Sequence, residues 1–410
     1  MSAVIAYVGL THLGLVYAAA SAAKGFRVVA FDPDEPLVKG LASATLPVEE
    51  PGLEAAYRSK RERFVFSSDP ATLGQADVVF ISADVPTDDQ GRSDLARTRK
   101  LIDLAKGSLK PGATLVILCQ VPPGFTRSLG LPVYYQVETL VFGQALARAM
   151  EPERFIVGCA DPAAELPAAY ASFLQAFGCP ILRMRYESAE LTKIAINCFL
   201  VASVSATNTL AELCEKLSAD WSEIAPALRL DRRIGPHAYL APGLGIAGGN
   251  LERDLATVIR FAEQHGTDAG VVRAWVGNSQ HRRNWAAGVL KKILEQNADA
   301  VVAVWGLTYK ENTNSTKNSP SLATLAQFPG MRFRKHDPAL DVKEEPLAVA
   351  RGADVLMILT PWPQYRGIAP AQVAAAMRGR TVVDPYGVLD RKAARDAGLT
   401  VHALGRPADA

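Results

Sequence analysis

The chain has 410 residues, 49% hydrophobic and 21% charged, with a formal net charge of +2. That length allows two or three domains, each with its own core, and that composition excludes a mainly disordered chain. The near-balanced charge points away from nucleic acid or an anionic membrane as a partner. Five cysteines, at positions 119, 159, 179, 198 and 214 with no CxxC pair, point away from a disulfide framework or a metal site and toward a reducing, cytoplasmic compartment.

Residues 1–23 are almost uncharged, yet they lack a basic leading segment and contain Thr11, His12 and two glycines. They read as strand, tight turn and helix rather than as a signal peptide or membrane span. Val4–Val8 is a short apolar strand, Gly9-Leu-Thr-His-Leu-Gly14 a turn, residues 15–24 an alanine-rich helix and residues 26–31 a second strand ending at Asp32. This unit places a dinucleotide pyrophosphate on a helix N-terminus and an acidic residue on the adenine ribose. Gly9, Thr11, His12, Leu13, Gly14 and Asp32 are therefore candidate cofactor-binding residues, and an aspartate at position 32 favours NAD over NADP. Thr11 takes the place of the second glycine of the fingerprint, where it either shifts or weakens the bound cofactor or meets a phosphate oxygen through its hydroxyl. Further strands are expected at 64–66, 78–82 and 114–118, an alternation with helices that predicts a doubly wound parallel sheet.

Residues 188–217 run without a helix breaker, rich in apolar and small side chains, and predict one long buried helix with Lys193 and Asn197 one turn apart on one face. A glycine-rich loop follows, Pro242-Gly-Leu-Gly-Ile-Ala-Gly-Gly-Asn250-Leu-Glu-Arg-Asp254. Gly243, Gly245, Gly248 and Gly249 give it a backbone able to wrap closely round a sugar. Residues 302–310, ending Tyr309-Lys310, form a second strand–glycine–turn unit, with later strands at 353–360 and 381–383.

Four stretches together resemble the UDP-glucose/GDP-mannose dehydrogenase family: Ser188-Ala-Glu-Leu-Thr-Lys193-Ile-Ala-Ile-Asn197, the 242–254 loop, Val121-Pro-Pro-Gly124, and Gly306-Leu-Thr-Tyr-Lys310 through Ser319-Pro320. The resemblance runs in order along the chain. It implies two doubly wound, Rossmann-like parallel-sheet domains of α/β class joined by a long central helix, with the active site between them. The expected division is an NAD-binding domain at 1–185, a central helical and dimerisation domain at 186–290, and a nucleotide-sugar-binding domain at 291–410.

In that family the lysine and asparagine at positions 193 and 197 hold the substrate hydroxyl, and Asp254 does proton work through water. Glu138 serves thioester hydrolysis; the stretch 135–143 that carries it reads as a helix start. Pro86, Gln120 and Lys310 are expected near the cofactor. Arg233, Tyr239, Tyr309 and Lys310, with the loop glycines, are expected near the sugar nucleotide. The family has a cysteine nucleophile where this chain has Asn250, and an amide nitrogen cannot replace a thiolate. Cys119, on a loop of the first domain, is the other thiol to weigh for that role.

Three readings follow. One is an NAD-dependent oxidoreductase acting on a CH–OH group, C6, of a nucleotide sugar such as UDP-glucose and stopping after two electrons. The others are a redox-neutral, epimerase-like use of NAD and a non-catalytic nucleotide-sugar-binding relative. A homodimer is expected in each case, with neither nucleic acid nor membrane as partner.

Overall fold

The computed structural model describes residues 3–43, 45–88, 92–247, 249–340 and 344–407. The chain divides into two compact units, Met1–Ile196 and Asn197–Ala410.

The first unit is built on eight strands, β1 (Val4–Val8), β2 (Arg27–Phe31), β3 (Phe64–Ser67), β4 (Val78–Ile81), β5 (Thr114–Ile117), β6 (Val133–Gln136), β7 (Phe155–Cys159) and β8 (Ile181–Arg185). Their order is β3-β2-β1-β4-β5-β6-β7-β8. The strand order reverses between β1 and β4, the crevice where doubly wound sheets bind ligands. Continuous apolar runs such as those of β4 and β5, buried at every residue, suit central strands covered on both faces. The parallel pattern has one exception, since β6 and β7 pair antiparallel. The helix start expected at 135–143 is corrected. Val133-Tyr-Tyr-Gln136 is strand, as β-branched and aromatic residues favour, the segment 137–144 is loop, and helix begins only at Ala145–Met150.

A 32-residue helix, Tyr186–Leu217, crosses from the first unit into the second. Among the described residues it is the one helix with the length and composition to cross a membrane. It carries Glu190, Lys193 and Asn197, all buried, and each of these has a polar partner in the protein.

The second unit begins with the remainder of that helix, followed by Trp221–Leu230, Asn250–His265, Gly270–Arg283 and Trp285–Gln296. Its sheet comprises β9 (Val302–Trp305), β10 (Arg334–His336), β11 (Val355–Ile358), β12 (Thr381–Val383) and β13 (Thr400–His402), in the order β10-β9-β11-β12-β13. All of its pairs are parallel.

The turn after the first strand is made the same way in both units. Gly9 and Gly306 have φ of +97° and +91°, a region that L side chains rarely enter. The Gly9 amide donates to Phe31 O and the Gly306 amide to His336 O. An aspartate after the neighbouring strand then takes the next amide: Leu10 N donates to Asp32 Oδ2 at 2.8 Å, and Leu307 N to Asp337 Oδ2 at 2.6 Å. At Gly306 a Cβ would lie 2.5 Å from both Thr360 N and Thr360 Cβ. Gly306→Ala is therefore expected to cost about 2–4 kcal/mol through left-handed strain plus overpacking, read as a lowered urea midpoint with unchanged slope.

Candidate active site

The cofactor end of the first unit is shaped by close backbone approach. A Cβ on Gly9 would lie 2.7 Å from Ala83 Cβ, and one on Gly14 would lie 2.1 Å from Gly9 O and 2.8 Å from Ser82 Oγ. The helix His12–Ala23 starts immediately after the turn, three residues earlier than the sequence pattern suggested, and aims its N-terminal amides into the β1/β4 crevice. Asp32 is fully buried at the end of β2, accepting from Leu10 N and, at 3.0 Å, from Asp34 N, with Arg97 at 3.1 Å. Cradle, helix terminus and acidic residue suit a dinucleotide.

Two details depart from expectation. The Thr11 hydroxyl accepts from Asp84 N at 2.8 Å and donates to Ser82 O at 3.5 Å, so it ties two turns of the chain together instead of pointing at a phosphate. The His12 ring is buried with Nε2 3.0 Å from Glu50 Oε2 and its face near Phe142, so any cofactor contact there falls to the backbone. Glu50 also accepts from Gly143 N and Ala145 N, a buried network that no motif announced. Leu13 is the second residue of the helix, Pro86 is exposed beyond β4, and Gln120 is half-buried beyond β5.

The same unit holds the first polar cluster of the long helix. Lys193 Nζ lies 2.8 Å from Glu138 Oε1, both side chains largely shielded. Glu138 also accepts from Leu140 N at 3.0 Å, which fixes the loop after β6. One turn earlier, Glu190 is buried and accepts from Gly124 N at 2.6 Å and Thr126 N at 2.8 Å. Burial raises the Glu190 carboxyl above its ordinary range, against the pull of these amides. Sequence reasoning missed this clamp, although the glutamate stands in the quoted motif.

The second unit holds the next cluster. Asn197 Nδ2 donates to Asp254 Oδ2 at 2.5 Å, and Arg253 Nε lies 3.0 Å from Asp254 Oδ1. All three are buried, and Arg253 is the member that sequence reasoning passed over. Asn250 is the exposed first residue of the helix Asn250–His265, one turn before Asp254, preceded by Gly249 with φ of +92°. Lys317 lies against this corner, its Cε 3.2 Å from where a Gly249 Cβ would stand.

The loop before Asn250 is held from within the unit. Gly243 N donates to Asn208 Oδ1 at 2.9 Å, Ile246 N donates to Ser279 Oγ at 2.8 Å, and a Gly245 Cβ would lie 2.5 Å from Ser279 O. Gly245 is thus required by a neighbouring helix, whatever a ligand needs. Gly248 lies outside the described residues. Tyr309 is half-buried, its hydroxyl pushed up to about 12 by burial, with Lys310 Nζ 5.8 Å from its ring centroid. Arg233 is exposed and paired with Asp231 at 2.6 Å, and Tyr239 is half exposed.

A doubly wound cofactor-binding unit followed by a second nucleotide-type sheet, with buried lysine, asparagine and aspartate on the intervening helices, defines a dinucleotide-dependent enzyme scaffold. Sequence comparison gives the family. Residues 3–174 match the UDP-glucose/GDP-mannose dehydrogenase NAD binding domain, 187–279 its central domain and 303–391 its UDP binding domain, and the chain belongs to that family. NAD is accordingly its cofactor. It is 29% identical to a UDP-glucose 6-dehydrogenase of Pseudomonas aeruginosa over 98% of this chain and 97% of that one. It is 25% identical to UDP-glucose 6-dehydrogenase TuaD of Bacillus subtilis over 98% and 93%. Among solved structures, a UDP-glucose dehydrogenase of Pyrobaculum islandicum superposes with a TM-score of 0.83 at 27% identity, covering 97% of this chain and 96% of that one. A UDP-D-ManNAc dehydrogenase of Pyrococcus horikoshii shares the fold with a TM-score of 0.85 at 23% identity, covering 98% and 99%.

Two of the chain's thiols are shielded from solvent to different degrees. Cys119 is fully buried, and desolvation pushes its pKa up to about 12. Cys198, half-buried next to Asn197, is raised to about 11, first by burial and then by the Asp254 charge. The thiolate is the reactive form, so both are held unreactive near neutrality. Iodoacetamide labelling at about pH 7.5, followed by peptide mass spectrometry, is expected to leave Cys119 unmodified and Cys198 slow. Labelling of Cys198 should rise steeply only above about pH 9, as thiolate begins to form.

Proposed function

We propose that this chain is an NAD-dependent dehydrogenase that oxidises the C6 CH–OH of a nucleotide sugar, UDP-glucose or a close relative, by two electrons and releases the aldehyde. The observation that carries the reading is Asn250. It occupies the exposed first position of a helix behind a left-handed glycine, with Asp254 one turn further on. The surroundings match what a thiol would need; the thiol is missing.

NAD, when bound, supplies the hydride acceptor. The chain's own residues provide the rest. Lys193 and Asn197 stabilise negative charge that develops on the substrate oxygen as the C–H bond breaks, by preorganised donors in a shielded place. Asp254 accepts the hydroxyl proton through water. Arg253 and Asn197 hold the two oxygens of that carboxylate, so its orientation is set before substrate arrives. The C–H pair of electrons leaves as hydride, the O–H proton goes to the base, and C=O forms. A second oxidation in this family's manner needs a carbon–sulfur bond, which Asn250 cannot make. Glu138, paired to Lys193, then serves to orient the lysine. Arg233, Tyr239, Tyr309, Lys310 and the loop glycines contact the sugar nucleotide in this reading. The three-part division at 1–185, 186–290 and 291–410 describes the corresponding tasks, and the five unpaired cysteines fit a cytoplasmic setting.

A homodimer through the long helix belongs to the same proposal. Phe199, Leu210, Leu213 and Leu217 are 80%, 46%, 49% and 71% exposed. At about 100° per residue they fall in one stripe, opposite the face bearing Glu190, Lys193 and Asn197. A contiguous exposed apolar stripe marks an interaction surface. Light scattering is expected to give twice the chain mass, and Phe199→Glu with Leu217→Glu is expected to give the monomer.

The test is NADH formed per sugar consumed, followed at 340 nm over UDP-, GDP- and dTDP-sugars. One NADH per sugar is expected, Lys193→Ala should lower kcat by about 10²–10³-fold, and Asn250→Ala should raise KM. Asn250→Cys is expected to move the yield toward two, because a helix N-terminus favours the thiolate. Two NADH from the unaltered chain would contradict the two-electron reading. No turnover with any sugar, or unchanged turnover in Lys193→Ala, would contradict the dehydrogenase assignment.

A further inference from the structure

The loop after β4 brings a carboxylate to the place where a dinucleotide-binding unit receives its diphosphate. Leu13 N, in the first turn of the 12-residue helix His12–Ala23, donates to Asp84 Oδ2 at 3.4 Å. Asp84 is itself exposed, so this is a surface carboxylate turned inward rather than a core one. What turns it is Thr11: the Asp84 amide donates to Thr11 Oγ1 at 2.8 Å, and the same hydroxyl reaches Ser82 O. The adjoining Ala83 is buried so tightly under the turn that a Cβ on Gly9 would lie 2.8 Å from its nitrogen. With Gly9 and Thr11 both locked onto residues 82–84, the backbone of this loop has little freedom. The Asp84 side chain keeps its freedom.

We propose that Asp84 is an internal occupant of the cofactor's diphosphate site and sets the affinity of this chain for NAD. The amides at a helix N-terminus attract whichever anion reaches them. In the free protein that anion is the Asp84 carboxylate, held by one long hydrogen bond. A diphosphate entering the same place displaces it and then lies beside a like charge, since among the described residues Asp84 hydrogen-bonds only Leu13 N and Thr11. Both effects weaken NAD. The replacement of the second fingerprint glycine by Thr11 acquires a reason here, because glycine has no hydroxyl to anchor residue 84. The inference rests on NAD binding at this crevice and adds a residue that opposes it.

Isothermal titration with NAD, ADP and adenosine tests it on the unaltered chain, Asp84→Asn, Asp84→Ala and Thr11→Ala. Removing the charge is expected to tighten NAD and ADP about five- to tenfold in both Asp84 variants. Thr11→Ala, which releases the loop, should act in the same direction and add little in combination with Asp84→Ala. Adenosine lacks phosphate, and its affinity should change less than about twofold. Rising ionic strength should weaken the Asp84 effect. Unchanged or weaker NAD binding in Asp84→Asn, or an equal gain for adenosine, would overturn the proposal while leaving the cofactor in place. Failure of all three ligands to bind any of the four proteins would overturn the cofactor site itself.

Discussion

A buried charge must be paired, and the helix Tyr186–Leu217 buries its polar groups at a spacing that makes the pairing organise the protein. Glu190, Lys193 and Asn197 follow one another at three and four residues, on one face. Glu190 takes two amides of the loop after β5, Lys193 takes Glu138 of the loop after β6, and Asn197 takes Asp254. Each contact satisfies a group that would otherwise be costly in a shielded place. Within the first unit two loops are thereby fixed to this helix, and within the second the helix Asn250–His265 is fixed to its continuation. The opposite face of the helix, at Phe199, Leu210, Leu213 and Leu217, is apolar and exposed, and it is the surface of the proposed dimer.

In the proposed reading, the chemistry turns on what a four-electron apparatus can do with Asn250 in the place of a thiol. The groups proposed to serve hydride and proton removal, Lys193, Asn197 and Asp254, each have a polar partner. Asn250 stands at a helix start, with the Lys317 side chain beside the preceding Gly249. Burial pushes Cys119 and, with the Asp254 charge, Cys198 toward the thiol form. On that proposal an aldehyde formed in the site has no covalent partner and is released. Asp84 adds a further adjustment at the cofactor end, making the helix N-terminus less receptive to diphosphate than a glycine turn would be.

Much of this was legible before the fold was seen. The turn at Gly9–Gly14, the aspartate ending β2 and the helix from residue 188 follow from local rules of sterics and periodicity, and the structure places them within a few residues of expectation. The first doubly wound unit with NAD as cofactor emerged the same way, and the second came from the family resemblance. What stayed hidden depends on contacts between distant segments. The stretch 135–143 reads as a helix start only until the pairing of Val133–Gln136 with β5 and β7 is known. Thr11 offers a hydroxyl to either a phosphate or the chain, and only the position of Asp84 decides. Gly245 looks like a ligand-contact glycine, yet Ser279 fills the space where its side chain would be. Arg253 carries no motif of its own and shows its place only beside Asp254.

The central claim is about the oxidation state in which the sugar leaves. Carbon-13 NMR of a nucleotide sugar labelled at C6, incubated with the protein and excess NAD, reads that state directly. A C6 resonance of aldehyde hydrate that accumulates without carboxylate is the predicted result. A carboxylate signal growing in from the start would contradict the account, and would require a route to the acid that bypasses the missing thiol.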